Sequence, residues 1–280
     1  SIAKYHVTER ARVVVNDGMD IIGGKGICLG PSNFLGRAYQ QIPVGITVEG
    51  ANILTRSLII FGQGAIRCHP YVLREMSAVQ EHDQKVALDK VDEALFGHIG
   101  FAVRNGFRSL ISGLFGAGIL GVKAGHSSQM RPYYGQITRL SSALALSADV
   151  SMLVLGGSLK KREKISARLG DVLSLLYLAS ATLKHFEDQG CQSDDAAFVH
   201  WAVQDALEKA QTALLNVYRN FPNRWIGGAL RLIVFPWGPV FKRPKDRLDR
   251  AICEQLMQPG AARDRLTANC YLPDSEDDPI

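Results

Sequence analysis

Apolar residues recur at steps of three and four along most of the chain, which is the spacing of amphipathic helices. The clearest stripes cover residues 7–22, 53–61, 88–99, 165–183, 198–217 and 248–256. Residues 137–155 are apolar on most sides, which predicts a buried helix. No stretch alternates between apolar and polar positions as a half-buried strand does. The pattern therefore predicts an all-α chain packed as helical bundles.

Glycine and proline interrupt this pattern in three places, at residues 23–50, 97–125 and 222–244. Both residue types disfavour helix interiors, so each stretch is predicted to break the helices. Long loops inside compact domains usually serve a function. A boundary between two helical units is expected near residues 70–78. We therefore divide the chain into residues 1–75, the end of a first α-bundle, and residues 76–280, an additional helical domain.

The composition is that of an ordinary globular chain of 280 residues, with 46% hydrophobic and 21% charged residues, which excludes disorder. A net charge of +5 is too small to indicate a nucleic-acid partner. The five cysteines form no CxxC pair, which argues against a zinc site or a disulfide framework and fits a reducing compartment. The chain begins at Ser1 without a signal peptide, so we expect a cytoplasmic protein and a piece of a longer chain.

Candidate chemistry concentrates in the first 70 residues. Residues 20–26 read Asp-Ile-Ile-Gly-Gly-Lys-Gly, and Gly23 and Gly24 would let a bulky ligand approach the backbone or present N–H groups to a phosphate. Glu49 is followed by Gly50, which leaves space for a substrate against the carboxylate. Val48 would make the surroundings apolar, which strengthens a carboxylate as a general base. Taken alone, these residues also suit a helix C-cap and a carboxylate beside a helix N-terminus.

The same stretch resembles the C-terminal α-domain of the flavin-dependent acyl-CoA dehydrogenases. Residues 20–26 are similar to that family's Gln-hydrophobic-hydrophobic-Gly-Gly-x-Gly flavin motif, and Glu49-Gly50 is similar to its Glu-Gly catalytic turn. Residues 45–57 and 61–70 resemble the bacterial long-chain β-oxidation branch, which carries an extra C-terminal helical domain. The resemblance implies an all-α bundle that is followed by a second helical domain.

The resemblance also implies a reaction. Glu49 would remove the α-proton of an acyl-CoA thioester, and the β-hydrogen would leave as hydride to FAD, giving a trans-2-enoyl-CoA. The backbone N–H of Glu49 would hydrogen-bond the thioester carbonyl, which makes the α-proton more acidic. Gly50 would line the substrate. An electron-transferring flavoprotein is the acceptor that the resemblance implies, and the family assembles through its C-terminal bundles, so a homo-oligomer is expected.

Two groups of residues are implied to contact FAD. The group expected near the diphosphate of a neighbouring subunit's cofactor is Asp20, Ile21, Ile22, Gly23 and Gly24. The group expected near FAD of the same site is Ala51, Asn52 and Ile53. Asp20 replaces the family's usual Gln, and Ala51-Asn52-Ile53 replaces its common Thr-Ser-Gln, so these contacts must differ in detail.

The family's N-terminal helical domain and middle β-domain are not in this sequence, so we expect no dehydrogenase activity from residues 1–280 alone. The alternative function is a non-catalytic helical scaffold or a module that binds a partner or a membrane. Residues 224–237 place Trp225 and Trp237 around an apolar run with basic residues, which suits a peripheral membrane contact at the inner membrane. The competing interpretation buries these aromatic residues in the bundle.

Four further side chains receive structural interpretations. Arg56 is expected to pair within the bundle, and His69 is expected to be a capping or loop residue. Cys28 and Cys68 are expected to be small buried side chains.

Overall fold

The fold is all-α, as predicted. The structure is a computed structural model that describes residues 1–30, 33–122 and 127–270. Of these described residues 81% are helical, they form eleven helices, and none lies in a strand. The 3.6-residue period that runs through the sequence is therefore realised almost everywhere it occurs.

Eleven helices, numbered in chain order, make up the described chain. They are α1 (Ile2–Ile22), α2 (Phe34–Thr47), α3 (Asn52–Arg67), α4 (Val72–Val79), α5 (Gln84–Phe115), α6 (Arg131–Leu155), α7 (Glu163–Asp188), α8 (Ala196–Arg219), α9 (Arg224–Val234), α10 (Asp246–Met257) and α11 (Ala261–Thr267). The middle of α3 is a π-helix over Thr55–Gln63. Short 3₁₀ turns cover Gly23–Ile27, Ala117–Leu120 and Gly156–Lys161.

The hydrophobic core lies between α6, α7 and α8. The predicted stripes of residues 165–183 and 198–217 meet there, and the larger side chains that are fully buried include Leu140, Leu169, Leu183, Leu207 and Leu214. Each such side chain contributes about 1.5–3 kcal/mol to the free energy of unfolding. The core is closed by α9 through Leu230 and Val234, and by α3 through Phe61.

Helix α6 is a core helix, as the apolar pattern of residues 137–155 predicted. Its buried face carries small polar residues, and Ser147 Oγ lies 2.8 Å from the Tyr218 hydroxyl of α8. With the turn that follows, residues 131–161 are long and apolar enough to cross a membrane, but core helices of soluble proteins meet the same criterion. The contacts of α6 with α5, α7 and α8 account for its apolar character.

The prediction that residues 97–125 break the helices is wrong for most of that stretch, because α5 continues to Phe115. Its glycines allow close packing instead. A Cβ at Gly97 would lie 2.4 Å from the Tyr71 ring, and one at Gly113 would lie 3.0 Å from the carbonyl oxygen of Ile233. Tertiary packing thus outweighs the modest helix penalty of glycine.

The other two glycine- and proline-rich stretches also contain helices. Within residues 23–50, α2 begins after Asn33, whose side chain accepts a hydrogen bond from Gly36 N, and it includes Pro43. Within residues 222–244, α9 begins after Asn223, whose side chain caps the N–H groups of Trp225 and Ile226. Asn33 and Asn223 are typical N-cap residues, so the start of each helix could have been predicted from the sequence despite the nearby glycine and proline.

The motif-bearing segment is joined to the core through α3 and α7. Gly170 lets these helices approach closely, since a Cβ there would lie 3.1 Å from the carbonyl oxygen of Arg56. Ser166 Oγ donates to the Ser57 carbonyl at 2.7 Å. Arg56 makes two hydrogen bonds to Asp171, at 2.7 and 2.5 Å, which confirms that it pairs within the bundle. The division at residues 75/76 stays a prediction.

Candidate functional site

The Glu49-Gly50 turn joins α2 to α3 in a left-handed conformation. The backbone φ angle is +54° at Glu49 and +89° at Gly50. Glycine adopts such angles freely, whereas a residue with a Cβ pays about 1–2 kcal/mol. Neighbouring residues must therefore hold Glu49 in place.

Helix α1 supplies that support. Lys4 Nζ donates to the carbonyl oxygen of Gly50 at 3.0 Å and to Asn52 Oδ1 at 2.8 Å. Asn52 is 2% exposed, and its amide nitrogen donates to Thr8 Oγ1 at 2.9 Å and to Glu9 Oε1 at 2.7 Å. Both ends of the turn are thus tied to one face of α1.

The residues that the structure describes do not form the dry pocket expected around Glu49. Glu49 is exposed, and the neighbouring Val48 and Ile53 are 48% and 77% exposed. Among the described residues, α1 is the one helix, other than the two that the turn joins, that forms hydrogen bonds to the turn. The side of the turn that faces away from α1 is therefore left open to solvent. The catalytic role of Glu49 stays a prediction.

The turn also carries unused hydrogen-bond donors. In the part of the chain that the structure describes, the backbone N–H groups of Glu49 and Ala51 have no acceptor. Two free N–H groups that flank Gly50 in a left-handed turn suit a carbonyl or anionic oxygen. This arrangement agrees with the implied contact between the Glu49 N–H and a thioester carbonyl.

The double-glycine turn lies at the end of α1. Gly23 combines a φ of +62° with a ψ of −139°, a conformation that strongly favours glycine, but Gly24 has no positive φ. A Cβ at either position would meet nothing within 4 Å, so the space beside them is open to a group from outside the chain. This openness fits the predicted approach of the FAD diphosphate. Asp20 fits less well, because its exposed carboxylate has no cation within 4.0 Å among the described residues and would repel a diphosphate.

The two motifs lie at opposite ends of α1. Lys4 contacts the Glu-Gly turn, and Asp20 follows 16 residues later on the same helix. At 1.5 Å per residue the two ends are about 24 Å apart. The glycine turn and Glu49 of one chain therefore do not face a common site. This separation agrees with the implied pairing of residues 20–24 with the cofactor of a neighbouring subunit.

The remaining predicted cofactor contacts differ in exposure. Ile21 is 85% exposed and Ile22 is half-buried at the end of α1, while Ala51 is half-buried in the turn. Both the amide oxygen and the amide nitrogen of Asn52 form hydrogen bonds with side chains of α1. Only the backbone of Asn52 is therefore available to a flavin. The predicted FAD contacts themselves stay predictions.

A cluster of ionisable groups that the sequence did not reveal joins α4, α5 and α6. His69 Nε2 lies 2.9 Å from Asp149 Oδ1, and His98 lies between Glu75, at 2.8 Å, and Asp149, at 3.5 Å. His69 Nδ1 accepts the backbone N–H groups of residues 71 and 72, each at 3.2 Å, which confirms its capping role. The members are far apart in sequence, so no spacing rule brings them together.

This cluster has the ligand types of a metal site, since ligand atoms of His69, His98 and Asp149 lie within 4.8 Å of one another. However, the two N–H groups that point at Nδ1 of His69 place its proton on Nε2. That nitrogen then donates to Asp149 and has no lone pair for a metal ion. The arrangement is therefore better explained as a hydrogen-bonded cluster that fastens three helices.

Two other predictions are corrected by exposure. Cys28 and Cys68 are exposed rather than buried, because each lies in a turn just after a helical segment. Trp225 and Trp237 are 73% and 74% exposed, so the interpretation that buries them is wrong for both tryptophans. The same interpretation is correct for Phe235, which is 1% exposed and therefore buried in the bundle.

Comparison with known proteins identifies the family. The family model described as "Acyl-CoA dehydrogenase, C-terminal, bacterial type" matches residues 66–280. No solved structure matches the chain significantly. The match begins at the end of α3, so Glu49 and the double glycine lie before it. Because the matched residues are well over half of the sequence, the chain belongs to the bacterial-type acyl-CoA dehydrogenase C-terminal family.

Proposed function

We propose that this chain is the C-terminal helical part of an FAD-dependent acyl-CoA dehydrogenase that oxidises long- or medium-chain acyl-CoA to trans-2-enoyl-CoA in fatty-acid β-oxidation. Family membership supports the enzyme class and an acyl-CoA substrate. The observation that carries the finer proposal is the left-handed Glu49-Gly50 turn, which displays a carboxylate and the free N–H groups of Glu49 and Ala51 on one short segment.

In this proposal, Glu49 takes the α-proton of the thioester while the free N–H groups of the turn hydrogen-bond the carbonyl oxygen. The positions of both groups are fixed by Lys4 and Asn52, which limits the reorganisation needed during proton transfer. Gly50 leaves room for the substrate. FAD, when bound, supplies the hydride acceptor, and the open backbone at Gly23 and Gly24 and the half-buried Ala51 are the positions proposed to hold it.

The proposal extends to partners and location. Since the two motifs of one chain are about 24 Å apart, a site that uses both needs two subunits, which supports a homo-oligomer. We propose an electron-transferring flavoprotein as the electron acceptor and the cytoplasm as the location. The alternative, a helical scaffold without catalysis, would need neither a strained Glu49 nor the free N–H groups beside it.

The test is Glu49→Gln in the complete FAD-loaded enzyme. The amide keeps the size and the backbone N–H but cannot accept the α-proton, so turnover of palmitoyl-CoA should fall at least ~10²-fold. FAD content and oligomeric state should be unchanged. Glu254→Gln, on the exposed surface of α10, is the matched control and should keep full turnover. Unchanged activity of Glu49→Gln would exclude the assigned role and favour the scaffold.

A peripheral membrane contact is proposed as an additional property of the same chain. Exposed apolar residues lie near one another on α5 and in the segment after α9, where Trp237 Nε1 donates to the carbonyl oxygen of Leu114 at 3.1 Å. Phe115 and Trp225 are also mostly exposed, and Arg224 lies over the Trp225 ring at 4.8 Å. Aromatic residues beside arginine suit the interface of an anionic bilayer.

Vesicle co-sedimentation tests this contact. Trp237→Glu should lower the fraction bound to anionic phosphatidylglycerol vesicles, because it places a negative charge in the contacting surface. Tyr177→Glu is the matched control, since Tyr177 is 56% exposed on α7 and should tolerate the change without loss of binding. Equal binding of wild type and Trp237→Glu would reject the membrane contact.

A further inference from the structure

Arg139 of α6 is a buried cation that no anionic side chain contacts within residues 1–30, 33–122 and 127–270. It is 5% exposed, and no carboxylate lies within 4.0 Å of it among the described residues. One terminal nitrogen donates to the carbonyl oxygen of Val234 at 3.2 Å, but the Nε–H is buried and has no acceptor. Burying a charge together with an unpaired hydrogen-bond donor lowers the stability of the folded state, unless another group pairs with the charge.

Part of that cost is offset within the protein. The guanidinium lies 5.9 Å from the ring centre of Phe235 and 5.7 Å from that of Phe241, which are cation–π distances. Val234 is the last residue of α9, so its carbonyl belongs to the negative end of that helix dipole. Burial still lowers the pKa of Arg139, and the cause is desolvation. These contacts leave the Nε–H unsatisfied.

Arg139 lines a cavity of ≈ 570 Å³, a size typical of small-molecule sites. The cavity lies between the turn that follows α5 and the start of α6, so the positive end of the α6 dipole points towards it. Gly116, Gly118 and Gly121 line it, and a Cβ at any of them would meet nothing within 4 Å. No Asp or Glu is among the described residues that line this cavity.

Further cations surround the opening. Arg131 lines the same cavity, is exposed and has no carboxylate partner in the described ranges. A neighbouring cavity of ≈ 680 Å³ shares Val240 and Phe241 with the first. Its described lining also contains no acid. Its basic residues are Lys242, Arg243, Lys245 and Arg247.

We propose that the Arg139 cavity binds an amphipathic anion, a carboxylate or phosphate headgroup on an alkyl chain. The headgroup pairs with the guanidinium groups of Arg139 and Arg131, which both line the cavity, and the alkyl chain lies along Val240 and Phe241. The ligand supplies the negative charge that no described residue places within 4.0 Å of the buried guanidinium. This site goes beyond the proposed dehydrogenase function and does not depend on it.

Calorimetric titration of the full chain tests the proposal with four probes. Octanoate and octyl phosphate carry both features, octanol carries only the alkyl chain, and acetate carries only the charge. We expect octanoate or octyl phosphate to bind and the other two to bind at least about tenfold more weakly, since a charge-assisted hydrogen bond is worth roughly that factor. The stronger of the first two identifies the headgroup. Equal binding of octanol, or no binding of either anionic probe, would overturn the proposal.

Variants locate the site. Arg139→Met should weaken binding of the anionic probe at least about tenfold, and its unliganded melting temperature should not fall, because an apolar side chain replaces an incompletely paired buried charge. Arg131→Gln should also weaken binding, and Arg250→Gln, exposed on α10, is the matched control that should not. If Arg139→Met does not fold, Arg131→Gln decides. If Arg139→Met folds and keeps the wild-type affinity, the anion does not bind in this cavity. If Arg139→Met does not fold, wild-type affinity in Arg131→Gln would show the same.

Discussion

Replacement of Asn52 by alanine tests whether the Glu-Gly turn is held from α1. The side chain is 2% exposed and makes three hydrogen bonds, to Lys4, Thr8 and Glu9, two of which involve charged groups. Hydrogen bonds to charged groups contribute about 1.5–3 kcal/mol each and neutral ones about 1 kcal/mol. Lys4 and Glu9 are partly exposed and regain water, so the free energy of unfolding should fall by about 2–4 kcal/mol rather than by the full sum.

Urea denaturation followed by circular dichroism measures this loss. Asn220→Ala is the matched control, because Asn220 is exposed and its side chain makes a single hydrogen bond, to the Asn216 carbonyl at 2.8 Å. It should change stability by less than about 0.5 kcal/mol. Hydrogen exchange of the Val48 and Thr55 amides, which donate to the carbonyl oxygens of Val44 and Ala51 on either side of the turn, should accelerate in Asn52→Ala and not in the control. A loss below about 1 kcal/mol, or an unchanged exchange rate, would contradict the anchoring role.

Two further predictions concern packing and pH. In Gly227→Ala the new Cβ would lie 2.2 Å from the Tyr218 carbonyl oxygen, so urea midpoints should show a loss of about 3 kcal/mol or more, whereas Gly228→Ala meets nothing and should be neutral or stabilising. Burial lowers the pKa of His200, so the unfolded chain takes up the proton first and the melting temperature should fall as pH drops through about 6.5. His200→Gln should flatten that slope and the exposed His185→Gln should not; the opposite ranking in either pair would refute the argument.

The Arg139 cavity and the Glu49 turn differ in what completes them. The turn presents an exposed carboxylate and free N–H groups, so its pocket depends on a surface that the described part of this chain does not supply. The cavity is lined by described residues that lie within the family match, and the proposed amphipathic anion would pair with its buried arginine. Failure of one proposal therefore leaves the other untouched.

Glycine content was the least reliable guide to local structure. The glycines in residues 97–125 predict a break in the helices, because glycine lowers helix propensity by about 1 kcal/mol. In α5 the same glycines make room for Tyr71 and for the backbone near Ile233, and the packing gained outweighs that penalty. A glycine can end a helix or can let another segment pack closely against it. Which of the two occurs depends on the residues that contact the glycine in space, and these are distant from it in the sequence.

The helices themselves and the enzyme family followed from the sequence, because a 3.6-residue apolar period and short motifs such as Glu49-Gly50 are properties of neighbouring residues. Tertiary structure alone decided the exposure of Glu49, the contact between His69 and Asp149, and the burial of Arg139 without an anion. Each depends on residues from different helices, and their distances are set only when the core between α6, α7 and α8 forms. Local periodicity fixes which face of a helix is apolar, but packing decides which polar groups meet across it.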